Sequence, residues 1–93
     1  MERYRMLSNE LLIIKIHIFS NSFSDFKKNT EKVSLEINEV KRQLKEELIS
    51  LLNESIESGI IAPDEIHTAK ELNSNLVMKF FSAARRTERN LQF

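Results

Sequence analysis

From Val33 to Leu51 the chain returns an apolar residue every three or four positions: Val33, Ile37, Val40, Leu44, Leu48 and Leu51. That spacing predicts a helix with one buried stripe, and Glu31, Glu36, Glu39, Lys41, Lys45, Glu46 and Glu47 fill its remaining faces. The steps of 4, 3, 4, 4 and 3 residues average close to the period of a straight α-helix. A compact bundle is therefore expected in place of a long coiled-coil rod. Beyond Leu48 the stripe widens to take in Ile49, Leu52 and Ile56, which predicts deeper packing at that end.

The pattern then stops and restarts. Gly59 suits a left-handed helix cap, Ile60 and Ile61 follow it, and Pro63 is pre-set for a first helical turn. Asp64 and Glu65 match the positive end of a new helix. Its core stripe reads Ile66, Ala69, Leu72, Leu76, Phe80, Ala84 and Leu91, with Asn73 on the same line. A polar residue in such a seam can set register; alternatively, the run Asn73-Ser74-Asn75 breaks the helix. Residues 24–58 and 63–89 thus form a long antiparallel helical hairpin, the second helix starting at Ser24 or Thr30.

Residues 1–23 form an N-terminal apolar segment with two stripes. Leu7, Leu11, Ile14 and Ile18 make one, Leu12, Ile16, Phe19 and Phe23 the other, and Ser8 and Lys15 lie between them. A helix with two apolar stripes needs two neighbours. The hairpin supplies one, and a second copy of the chain is the expected source of the other. The alternation of Ile14, Ile16 and Ile18 with Lys15 and His17 also permits a strand, which would have to pair with another molecule. A polar link is expected over Ser20–Ser24, where Ser22 and Asp25 offer a capping box. The fold class is all-α: a single small bundle over residues 1–93, dimeric through Leu7, Leu11, Ile14 and Ile18.

Composition narrows the function more than it identifies it. One glycine and one proline in 93 residues leave little material for the turns of a sheet. There is no cysteine, so neither disulfides nor thiolate metal sites enter, which suits a cytoplasmic protein. The apolar run Leu11–Phe19 contains Lys15 and His17 and is far shorter than the roughly 20 residues that cross a bilayer. Glu2, Glu10 and Lys15 sit badly in a secretory signal segment. Formal net charge is zero, which removes a bulk pull toward nucleic acid or anionic membrane.

The charges are nevertheless unevenly placed. No Lys or Arg occurs between Glu46 and Ala69, whereas Glu54, Glu57, Asp64 and Glu65 are all acidic. Folding the hairpin brings Lys27, Lys28 and Lys32 toward Arg85, Arg86 and Arg89, roughly 40 Å from the acidic tip at 1.5 Å per residue. Complementarity to the helix dipole accounts for part of this segregation. The rest suggests a basic surface for an acidic partner, and Met78 and Phe81 beside Arg85 are of the types enriched at protein interfaces.

Two partial resemblances bear on function. Glu65–Asn73 resembles the first helix and turn of a helix-turn-helix reader, with Ala69 and Leu72-Asn73 at the turn entrance. That likeness implies a recognition helix from Leu76 carrying Lys79, Arg85, Arg86 and Arg89 toward DNA. Ser74 stands where an apolar residue is expected after the turn. The ending Ala62-Pro63-Asp64-Glu65, with Thr87–Gln92, resembles the last helix of AroQ-type chorismate mutases. This covers only the final third, implies Gln92 near Glu88 as the one carried-over position, and lacks the family's mid-chain ligands. No such activity is expected from it. Asp64 and His67 share a helical face but fall short of a metal site, even with Glu54 and Glu57 added.

The sequence therefore predicts a protein-binding module without catalysis, cofactor, metal or membrane contact, acting as a regulator, chaperone, adaptor or inhibitor. Its partner-binding residues are Met78, Phe81, Arg85, Arg86 and Arg89. The alternative is a DNA-binding transcriptional regulator using residues 65–89.

Overall fold

A computed structural model of the chain describes residues 1–26 and 30–90, with the side chains of residues 1–23 and 31–89. Among the described residues there are three α-helices and no strand: α1, Glu2–Phe26; α2, Thr30–Glu57; and α3, Ile66–Asn90. A 3-10 turn, Pro63–Glu65, leads into α3. The three helices pack on one another as a compact bundle of 47 × 16 × 16 Å.

The α2 stripe lies in the core as its spacing predicts, with Val33, Ile37, Val40, Leu44 and Leu48 all buried. The broadening beyond Leu48 proceeds differently. Leu52 and Ser55 are buried, Leu51 and Ile56 are half-buried, and Ile49 faces outward at 57 % exposure. In α3, Ala69, Leu76, Phe80 and Ala84 are buried, joined by Val77, while Ile66 and Leu72 are half-buried. Leu91 lies outside the described residues.

The larger core cluster joins Phe19 and Phe23 of α1 to Val33 through Leu48 of α2 and to Leu76, Phe80 and Ala84 of α3. The smaller one, Tyr4, Leu52, Ile61 and Ala69, fills the turn end. The turn-end cluster is at most 5 % exposed at any of its four residues, and the larger cluster, which holds three phenylalanines, at most 9 %. Phe19 meets Phe80 edge-on, with ring centroids 6.1 Å apart and planes at 83°, and meets Phe23 at 5.7 Å. Full burial of each ring contributes roughly 1.5–3 kcal/mol, and such ring pairs add about 0.5–1.5 kcal/mol more.

The connection after α2 is built around Gly59, the one glycine, at φ 80°. Its N–H donates to the Ile56 carbonyl at 3.3 Å, and the Ile61 N–H to the Ser55 carbonyl at 3.1 Å, so the chain wraps back over carbonyls the helix leaves open. Ile61 is folded into the small cluster by this wrap. At the start of the next element the Ala62 N–H donates to the Glu65 carboxylate at 2.9 Å, which is half a capping box, because Ala62 has no side-chain oxygen to return the bond.

The first helix differs most from the sequence expectation. Residues 20–24, expected as a polar link, are helical, and Ser22 lies inside α1, not at a cap. The strand alternative for residues 13–19 is likewise overturned. The buried face of α1 is Tyr4, Ser8, Leu12, Lys15, Phe19 and Phe23, so the two polar positions between the stripes point into the bundle. Each has its polar atoms satisfied nearby. The Ser8 hydroxyl donates to the Tyr4 carbonyl at 2.8 Å, and the Lys15 ammonium pairs with Glu47 across the α1–α2 seam. Side chains lean toward their own helix N-terminus, and antiparallel helices therefore tilt Lys15 and Glu47 toward each other.

Candidate docking surface

The residues singled out on α3 share one side of that helix. Met78 is 63 % exposed, Arg85, Arg86 and Arg89 are exposed, and Phe81 is half-buried against the larger core cluster. Helical spacing accounts for the grouping, since residues three and four apart are neighbours. Phe81, Arg85, Arg86 and Arg89, with Ser82, line a shallow concavity of about 420 Å³. Met78, Lys79 and Arg86 border an adjoining one with Ser82 and Ala83.

Phe81 is held by two cations. Lys41 of α2 and Arg85 of α3 stand over its ring, 5.0 and 5.1 Å from the centroid. Arg85 also donates to the Glu88 carboxylate at 3.2 Å. Phe81 and Arg85 are therefore partly engaged within the molecule. Arg86 and Arg89 make no ion pair among the described residues. The other half of the expected basic end is only partly visible: Lys32 is exposed on α2, and Lys27 and Lys28 lie outside the described residues.

Sequence reasoning missed a second feature of the same side. Between α2 and α3 runs an apolar groove of about 550 Å³. Its apolar floor is Leu48, Ile49, Leu52, Val77 and Met78, interrupted by Asn53, Asn73 and Ser74, and Lys41, Lys45 and Lys70 stand on its edges. No carboxylate of the described residues lines it. The signal was present but misassigned, because Ile49 read as core and Lys45 as one of the charges filling the remaining faces of α2, while Lys70 was not singled out. Charge is sorted across α2. On its outer face Arg42 binds Glu39 at 2.5 Å and Glu46 at 2.7 Å, and the bond from Arg42 holds the Glu39 carboxyl below its ordinary range. On the groove side Lys45 makes no ion pair among the described residues, and neither does Lys70 on α3.

The expected self-association seam is divided by the bundle. Leu7 and Leu11 are half-buried, Leu11 against the larger cluster, while Ile14 and Ile18 remain 50 % and 39 % exposed. Met6 and Ile13, not singled out from the sequence, are more exposed still.

The helix-turn-helix likeness loses its geometry. The helix α3 is unbroken through Asn73–Asn75, so residues 65–89 contain no turn of the helix-turn-helix kind. Asn73 is instead half-buried and accepts a hydrogen bond from the Tyr4 hydroxyl at 2.6 Å. His67 pairs with Glu71 at 3.0 Å on the surface, and the described residues hold no cluster of three or more His, Asp or Glu arranged for a metal. Gln92 lies outside the described residues. No helix among the described residues is long and apolar enough to cross a membrane. Comparison with protein-family models, with curated proteins and with solved structures finds no match to this chain.

Proposed function

We propose that the protein is a non-catalytic interaction module, a small cytoplasmic regulator, chaperone, adaptor or inhibitor that holds another protein on the α2–α3 side of its bundle. The observation that carries this reading is Met78, a large apolar side chain 63 % exposed next to arginines of which Arg86 and Arg89 have no ion pair among the described residues. Exposed methionine and arginine beside a partly buried aromatic ring is a composition that interfaces favour. A photo-crosslinking residue placed at Met78 or Arg86 is expected to trap the same discrete partner in cells. The same residue at Asn38, exposed on α2, is expected to trap none. Equal trapping at all three positions, or none at any, would sink the assignment.

Self-association through α1 belongs to the same reading. Ile14 and Ile18, with Met6 and Ile13, leave an apolar surface on α1 that a second copy would cover. Light scattering is expected to give a dimer that Ile14→Glu converts to a folded monomer. A wild-type monomer would remove the dimer from the reading and leave the α2–α3 surface as it stands.

Binding to duplex DNA is the alternative that the arginines support. It predicts affinity falling steeply with salt and abolished by charge reversal at Arg85 and Arg86.

A further inference from the structure

Resting on the α2–α3 side as the docking surface, we infer that the groove between these helices seats an acidic amphipathic helix of the partner protein. Its shape, floor and edge charges point to the same occupant. From Lys41 to Asn53 the α2 wall runs twelve residue steps, about 18 Å at 1.5 Å per residue, which accommodates some three turns of a second helix. A helix lying in a groove anchors through apolar residues at i, i+3 or i+4, and i+7. Ile49 and Met78, the two most exposed apolar floor residues, come from opposite walls, so the apolar stripe of the occupant meets both.

The edges specify the charge of the occupant. Lys41 and Lys45 stand on the α2 wall and Lys70 on the α3 wall. An occupant that meets both walls needs carboxylates flanking its apolar stripe on both sides, which an amphipathic helix rich in Asp and Glu provides. A fatty-acid-like ligand has one carboxylate and leaves at least one wall unanswered. Nucleic acid would answer the lysines but set phosphates over an apolar floor. The outward face of α1 mixes Arg3 and His17 with Glu10 around Met6 and Ile13, so a second copy fits the charge pattern poorly.

The test is a display selection of helical fourteen-residue peptides on the full chain. The winners are then measured by fluorescence anisotropy against Ile49→Glu, against Lys45→Glu with Lys70→Glu, against Arg86→Glu and against Ile14→Glu. Ile49, Lys45, Lys70, Arg86 and Ile14 are all exposed, and circular dichroism checks that each variant keeps its helices. The expected winners carry apolar residues at helical spacing flanked by Asp or Glu. They should lose at least tenfold in affinity with Ile49→Glu and with the double lysine reversal. Reversing the flanking acids to lysine should restore binding to the double-reversal variant.

Winners that are neutral or basic, or no winners at all, would overturn the inference. Winners sensitive to Arg86→Glu and indifferent to Ile49→Glu would overturn the groove while leaving the α3 surface in place. Winners lost only with Ile14→Glu would overturn both.

Discussion

The Tyr4 hydroxyl donates to the side-chain carbonyl of Asn73 at 2.6 Å, joining the first turn of α1 to the N-terminal third of α3 across 69 positions of sequence. Tyr4 is fully buried in the turn-end cluster with Leu52, Ile61 and Ala69. This bond ties the level of α1 to that of α3, which apolar contacts alone specify less sharply. Asn73→Leu is expected to cost more than Tyr4→Phe, because it strands a buried hydroxyl. Typical magnitudes are about 1–3 kcal/mol for a stranded group and about 1 kcal/mol for a lost bond. Urea unfolding of the double variant should cost less than the sum of the two.

Burial pushes the Tyr4 phenol above its ordinary value of 10.0, against the smaller opposing pull of Asn73. A raised folded-state pKa means that the linked stability is fully present below pH 10 and is lost as pH rises through the folded value. Tyr4 is the only tyrosine in the chain, so an ultraviolet absorbance titration reads it alone. The phenol is expected to ionise later in the folded protein than in urea, and coincident curves would contradict its burial.

Lys15, 7 % exposed, pairs with the half-exposed Glu47. Removing the anion leaves an ammonium enclosed in the seam, whereas Lys15→Met replaces the buried stem with an apolar chain of similar length. Glu47→Ala is expected to destabilise by about 1–3 kcal/mol and Lys15→Met by under about 1 kcal/mol. Thermal melts of the two variants should rank them in that order.

A Cβ built on Gly59 meets nothing within 4 Å, so the cost of Gly59→Ala is confined to the backbone at φ 80°. Holding an L-residue there costs roughly 1–2 kcal/mol. Gly59→Asn should cost less than Gly59→Ala, because asparagine visits this conformation more readily. Denaturant midpoints for the pair provide the check.

Glu65 accepts the Ala62 N–H, and this bond, with the nearby Met1 amino group 3.5 Å away, holds its carboxyl below the ordinary 4.5. A depressed folded-state pKa means that the linked stability is present above pH 4.5 and is lost as pH falls through the folded value. The stability difference between wild type and Glu65→Gln is expected to be constant from neutral pH down to about 5 and to shrink in stronger acid. A difference unchanged to pH 3 would deny the carboxylate its capping role.

The helices of α2 and α3 were legible because their apolar residues repeat on a single stripe and their joint is marked by Gly59 and Pro63. The α1 face was not, because hydrophobicity ranks Ser8 and Lys15 as outward, while Ser8 bonds its own backbone and Lys15 finds a partner on another helix. On the candidate surface, Met78, Arg85, Arg86 and Arg89 were singled out from side-chain type and helical spacing, and they lie exposed on one side of α3. The groove beside them was not, because Ile49, Lys45 and Lys70 lie on two helices and become neighbours only when these pack together.

What the sequence by itself determined is local: helix period, the stop at Gly59, the restart at Pro63 and the segregation of charge along the chain. These follow from backbone sterics and from spacing within one helix. What only the tertiary structure decided is rotational. Each helix turned the face that best filled the shared core, which drew Tyr4, Ser8 and Lys15 inward and left Ile49 and Ile14 outside. That choice is settled by packing among three helices at once and by the partners that the buried polar groups of Tyr4, Ser8 and Lys15 meet there.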